Sequence, residues 1–166
     1  MKPGKFASES DLMLSERDEF VPLPSCTSPI AHNAATLNCA SLQGKRVIIC
    51  EDEGISQMQL KRALSISGMD VVGTARNGRD GVELALKERP SLILMDIRMP
   101  VMDGLEASRL ILKHYQPCIV MLTAFSDSEY RQEAFEIGTA GYVVKPVTGE
   151  TLLPQLEAAW RTHHSE

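Results

Sequence analysis

Four consecutive apolar residues, Leu92-Ile93-Leu94-Met95, end on a carboxylate, Asp96, and run directly into a loop holding Met99-Pro100 and Asp103-Gly104. An apolar run with no polar alternate is the pattern of a strand buried on both faces, which points to a parallel sheet covered by helices. Such sheets keep their sites outside the carboxyl ends of their strands. Asp96 is therefore placed where chemistry is done. The plainer alternative is that Asp96 only caps the loop or the helix that follows.

The rest of the chain supplies the units this strand needs. From Gly44 onward, strand-like and helix-like stretches alternate to the end. Lys45 to Cys50 is a buried-strand candidate, followed by Leu60, Ala63 and Leu64 at helical spacing and a stop at Gly68. Met69 to Ala75 gives a second strand, and Asn77-Gly78 opens a helix with Val82, Ala85 and Leu86 on its inner face, ending before Pro90. After the third strand, Ala107, Leu110, Ile111 and His114 mark one helical face. Cys118 to Leu122 forms a fourth strand, Tyr130, Ala134 and Ile137 line the next helix, and Gly141 to Val144 forms a fifth strand. A last helix presents Leu152, Leu156 and Ala159, with Leu153 and Trp160 beside them. The βα repeats predict an α/β domain with a parallel sheet and helices on both faces, every strand ending on the same edge. Pro154 disturbs the last helix if Thr148 is its cap, and predicts either a kink or a later start.

Residues 1–43 hold Pro3, Pro22, Pro24 and Pro29, several serines and mixed charges without periodicity, and are expected to be a disordered N-terminal extension before a domain spanning 44–166. Leu12-Met13-Leu14 and Phe20-Val21 are short apolar clusters within it. Lys2 and Lys5 are followed by the acids Glu9, Asp11, Glu16, Asp18 and Glu19, which is not a signal-peptide pattern. No apolar run approaches the ~18 residues of a membrane span. The net charge of −5, with no clustered Lys/Arg face and no helix-turn-helix segment, argues against direct nucleic-acid binding. Cys26, Cys39, Cys50 and Cys118 have no CxxC spacing and fit free thiols in a reducing cytosol. His32, His114, His163 and His164 form no metal-ligand pattern.

Polar residues of a consistent chemistry meet at the carboxyl edge. Glu51-Asp52-Glu53 follow the first strand, Asp96 the third, Thr123 the fourth and Lys145-Pro146 the fifth. Carboxylates gathered in one place repel unless a cation neutralises them, and Mg²⁺, a hard ion with oxygen ligands, is the economical choice. Lys145 offers a positive point charge and Thr123 a hydroxyl donor, both suited to an oxyanion or a phosphoryl group.

In this order the segments VIICEDE, LILMDIRMPVMDG, VMLTA and GYVVKP resemble those of the response regulator receiver domains of two-component signalling, over residues 45 to about 162. The resemblance implies a flavodoxin-like five-stranded sheet in the order 2-1-3-4-5. It implies that Asp96 accepts a phosphoryl group from a phosphohistidine on a histidine kinase or histidine phosphotransfer protein. Glu51, Asp52, Asp96 and the backbone carbonyl of Arg98 would bind Mg²⁺, while Thr123 and Lys145 would bond the phosphoryl oxygens. Tyr142 matches the aromatic that moves with the threonine, and the Lys145-Pro146 peptide is expected to be cis. Arg98 and Phe125 occupy the positions flanking the phosphoryl group. An apolar ring at 125 cannot orient a hydrolytic water, so slow self-dephosphorylation is expected. The implied role is a cytoplasmic, stand-alone signalling receiver, not an enzyme with external turnover, that controls a protein partner through its helix 4/strand 5/helix 5 face. Homodimerisation through the last helix stays open. The alternatives are a pseudo-receiver scaffold without phosphorylation, or a flavodoxin-like nucleotide-binding module, which would want a Gly/Ser/Thr-rich loop where Glu51-Asp52-Glu53 stand.

Overall fold

The computed structural model describes residues 40–124 and 128–165. Five strands alternate with five helices: β1 (Arg46–Cys50), α1 (Gly54–Ile66), β2 (Asp70–Ala75), α2 (Gly78–Glu88), β3 (Leu92–Asp96), α3 (Gly104–Leu112), β4 (Cys118–Thr123), α4 (Ser128–Ile137), β5 (Gly141–Val144) and α5 (Gly149–His163). The strands pair in parallel in the order β2-β1-β3-β4-β5, the flavodoxin-like arrangement expected from the sequence. Every residue of β3 and β4 is buried. The edge strands β2 and β5 keep half-exposed and exposed positions, and they can carry glycine and polar residues at little cost.

Side chains alternate across the sheet and build two cores. Val47, Ile49, Leu92, Leu94, Val120 and Leu122 face Leu60 and Leu64 of α1 and Leu152, Leu156 and Trp160 of α5. Ile48, Cys50, Ile93, Met95, Ile119 and Met121 face Ala85 of α2, Leu105, Ala107 and Ile111 of α3, and Ala134 of α4. Each large aliphatic side chain buried this way contributes about 1.5–3 kcal/mol relative to exposure. Packing begins before Gly44, because Leu42 is fully buried in the α1/α5 core. The other features expected of residues 1–39, including both apolar clusters, Cys26 and Cys39, lie outside the described residues.

The helix ends follow from their first residues. Asn77 accepts the Asp80 N–H at 2.8 Å, Asp103 accepts the Glu106 N–H at 2.8 Å, and Thr148 and Thr151 cap α5 reciprocally. That box fixes the start of α5 at Gly149, so the later start suggested by Pro154 does not occur. Pro154 removes only the bond that the Glu150 carbonyl would accept, and both residues are exposed.

Some helix faces differ from expectation. In α3 the buried set is Gly104, Leu105, Ala107, Ser108 and Ile111, while His114 lies beyond the helix and is exposed. Ser108 can be buried because its hydroxyl donates to the Gly104 carbonyl at 2.7 Å. In α2, Leu84 packs against the core beside Val82. In α4, Tyr130 is exposed and Ala134 is the buried residue.

Cys50 and Cys118 are buried free thiols, one in each core, and burial pushes both up from 9.0 to about 12. The thiolate is the reactive form. Iodoacetamide at mildly alkaline pH should therefore spare both in the native protein and alkylate both in guanidinium, as read by peptide mass mapping. Native-state labelling at either position would show that the cores open.

Candidate functional site

Strand register assembles the site. Cys50 stands opposite Met95, so the next residues out, Glu51 and Asp96, leave adjacent strands side by side. Both continue the alternation that faces the α1/α5 side of the sheet. Thr123 pairs with Val144, and the Lys145 N–H donates to the Thr123 carbonyl at 2.8 Å, which extends the pairing of β4 and β5 by one residue. β5 lies two strands from β3, about 10 Å at ordinary strand spacing. The lysine stem spans that distance: Lys145 Nζ is 2.8 Å from Asp96 Oδ2 and 2.8 Å from Glu51 Oε2.

Glu51, Asp52 and Asp96 each place a carboxylate oxygen within 4.8 Å of the other two. Glu51 is wholly buried and Asp96 nearly so, while Asp52 sits exposed at the rim. The contact of Glu51 Oε2 with Lys145 is an ion pair outside hydrogen-bond geometry, so that oxygen has no hydrogen-bond donor among the described residues. Burial pushes the Glu51 carboxyl up from 4.5 to about 7, with the Asp96 charge adding to the rise and Lys145 opposing it. Partial burial alone would lower the Lys145 ammonium, but Asp96 and Glu51 outweigh this and hold it above 10.5. An acid cluster with an oxygen lacking a donor is chemically suited to a hard divalent cation.

Asp96 also has the capping contact considered for it, since its Oδ1 accepts the Arg98 N–H at 3.3 Å. Its second oxygen is given to Lys145, which a capping role alone does not explain. Thr123 is wholly buried at the neighbouring strand end, and its hydroxyl has no hydrogen-bond partner among the described residues. Tyr142 is 37% exposed, and its ring lies beneath the Arg131 guanidinium, 5.3 Å from Cζ to the ring centroid. The Lys145-Pro146 peptide is cis. Phe125 lies outside the described residues.

The β3–α3 loop is closed tightly against the end of β3. The Gly104 N–H donates to the Ile97 carbonyl at 2.9 Å, and a Cβ at Gly104 would come within 2.0 Å of the Asp96 carbonyl oxygen. Inside the loop, the Met102 N–H donates to the Pro100 carbonyl at 2.8 Å. This makes a γ-turn around Val101, whose φ is +70°, the strained form of that turn. A β-branched residue there is a backbone outlier. Beside the loop runs a groove of about 520 Å³ lined by Asp52, Arg98, Met99, Pro100, Asp103 and Tyr130, among others.

Two contributors were not evident from the sequence. Tyr130 lines the groove, where its helical spacing had assigned it to the core. The Gln57 side-chain amide donates to the Glu51 and Ala75 carbonyls at 3.0 and 3.1 Å, tying down the turn that carries the acids. No sequence signal marks a glutamine on an exposed helix as an anchor.

The family model for the response regulator receiver domain matches residues 47–157. The chain belongs to the response regulator receiver family. It is 39% identical over 115 residues to the transcriptional regulatory protein PdtaR of Mycobacterium tuberculosis, covering 69% of this chain and 56% of that protein. It is 38% identical over 110 residues to the transcriptional regulatory protein LnrK of Bacillus subtilis, covering 65% and 50%. Thus the chain spans about half the length of these curated relatives. Among solved structures, the response regulator domain of Thermotoga maritima CheB superposes with a TM-score of 0.66 at 28% identity, covering 75% of this chain and 99% of that one. The signal receiver domain of NarL from Mycobacterium tuberculosis gives 0.67 at 26% identity, covering 72% and 98%. Receiver domains bind Mg²⁺ through acidic residues, and this receiver has such a cluster in Glu51, Asp52 and Asp96. Among the described residues, no helix is long and apolar enough to cross a membrane.

The loop geometry sets two expectations for denaturant unfolding. Gly104→Ala should cost about 3 kcal/mol, because the added carbon meets backbone that cannot yield. Val101→Gly should add about 1 kcal/mol by relieving the left-handed valine. A neutral Gly104→Ala or a destabilising Val101→Gly would contradict the loop described.

Proposed function

We propose that this receiver takes a phosphoryl group from a phosphohistidine of a histidine kinase or phosphotransfer protein onto Asp96, and passes the signal to a protein partner. The observation that carries the proposal is Lys145 Nζ held 2.8 Å from Asp96 Oδ2 within a cluster of three carboxylates. In the transfer an Asp96 oxygen forms a bond to phosphorus as the phosphorus–nitrogen bond breaks, and the imidazole leaves with its electron pair. Glu51, Asp52 and Asp96, with the Arg98 backbone carbonyl, would hold Mg²⁺, which when bound offsets negative charge on the phosphoryl oxygens.

The remaining steps belong to the side chains. Lys145 exchanges its contact with the Asp96 oxygen for one with a phosphoryl oxygen. The buried Thr123 hydroxyl, with no hydrogen-bond partner among the described residues, donates to another. Phosphorylation replaces the single carboxylate charge of Asp96 with about two on the phosphoryl group and adds new acceptor oxygens, so this bond forms only in the modified state. Thr123 and Tyr142 lie on the same face of adjacent strands. Movement of the threonine toward the phosphoryl group gives the ring room to follow, and the α4/β5/α5 face then changes shape for its partner. The expected location is cytoplasmic, and the signal is passed by protein contact rather than by direct contact with nucleic acid.

Acetyl phosphate with Mg²⁺ should add one phosphoryl group to the intact protein, seen by mass spectrometry, and Mg²⁺ chelation or Asp96→Asn should abolish it. Thr123→Ala should still accept phosphate without changing Tyr142. A parent protein that takes no phosphoryl group from acetyl phosphate and binds no beryllofluoride would instead be a binding scaffold.

A further inference from the structure

We infer that Arg131 is a positioning residue that holds the Tyr142 ring in its outward orientation, and so sets how much of the protein is switched before phosphorylation. The inference rests on the proposed role of Asp96, Thr123 and Tyr142, and deepens it by naming what opposes the switch in this chain.

Tyr142 stands opposite Met121 in the β4–β5 ladder. Met121 points into the core covered by α2, α3 and α4, so alternation places Tyr142 on that same face, beside α4. Thr123 lies two residues beyond Met121 on the same face, and the space that an inward ring would enter is on its side. Arg131 belongs to the first turn of α4, and its guanidinium lies over the Tyr142 ring at 5.3 Å. A ring face attracts a cation only when the cation stands above it. Arg131 is anchored on α4 and Tyr142 on β5, so a rotamer change that carries the ring inward takes it from under the guanidinium, and the contact is assigned to the outward ring. An interaction made in one of two states shifts the equilibrium toward that state by its full differential. At a residue 37% exposed, a cation–π contact shifts the equilibrium about two- to five-fold toward the outward state.

Linkage gives the consequence. Any ligand that favours the inward state binds more weakly because Arg131 must be released first, and removing the contact returns that factor to the ligand. The factor acts on the affinity of the acid site although Arg131 lies on a helix outside the acid cluster.

Beryllofluoride binding in Mg²⁺, followed by fluorine NMR, tests this with the full chain. Arg131→Met, which keeps length and loses charge, should bind about two- to five-fold more tightly. In the unliganded variant, the Tyr142 ring protons should shift toward their liganded positions. Arg131→Lys should lie between, since it keeps a cation. In a Tyr142→Leu background, Arg131→Met should have no effect on affinity, the signature of a contact made through the ring. A merely structural arginine would lower the unfolding midpoint without tightening beryllofluoride. Unchanged or weaker binding by Arg131→Met, or an effect that persists without Tyr142, overturns the inference. Failure of the parent protein to bind beryllofluoride overturns the phosphoacceptor assignment and this inference with it.

Discussion

The Lys145 ammonium, shared between Asp96 and Glu51 at 2.8 Å from each, is the interaction on which the site depends. Two carboxylates buried side by side would otherwise repel and take up protons. Glu51 shows the strain of that position, its carboxyl pushed by burial to about 7 despite the lysine. The arrangement is not an efficient way to stabilise a fold, because burying charge costs several kcal/mol per ion even when the ions are paired. Its value lies in poise. One ammonium offsets part of the charge of the acids, and on the proposed reading it holds the Asp96 oxygen ready for an incoming phosphoryl group.

That poise is delivered by backbone geometry. Parallel register sets Glu51 beside Asp96 and Thr123 beside Val144. The two apolar cores on either side of the sheet hold β1, β3 and β4 in that register, since a one-residue slip would exchange every side chain between two differently packed cores. The loop after Asp96 is equally constrained, with Gly104 pressed against the Asp96 carbonyl and Val101 held at a positive φ. A strand end with a tight loop beside it holds Asp96 in place, while Tyr142 stands half-exposed on the edge strand β5.

The central strands and the polar residues at their ends were legible in the sequence because both signals are local. An unbroken apolar run followed by a carboxylate is visible without knowing any partner, and the βα alternation brings those ends to one edge. Details that depend on packing were not legible. Ser108 reads as a surface residue until its hydroxyl is seen bonded to Gly104. Tyr130 has core spacing yet is exposed, as Ala134 and Ile137 carry the packing of α4. The contact of Arg131 with the Tyr142 ring joins a helix to a strand and leaves no periodic trace. Pro154 does not delay the start of α5, because the reciprocal threonine cap starts the helix before the proline is reached and leaves it inside the helix.

The chemical identity of the acceptor is the centre of this account, and reductive trapping reads it directly. Borohydride converts an aspartyl phosphate to homoserine and leaves free carboxylates untouched. Protein phosphorylated with acetyl phosphate and Mg²⁺, reduced and digested, should yield one homoserine, at position 96, in the peptide that follows Met95. Homoserine at 51 or 52, or none at all from protein that has gained a phosphoryl group, would contradict the assignment of Asp96.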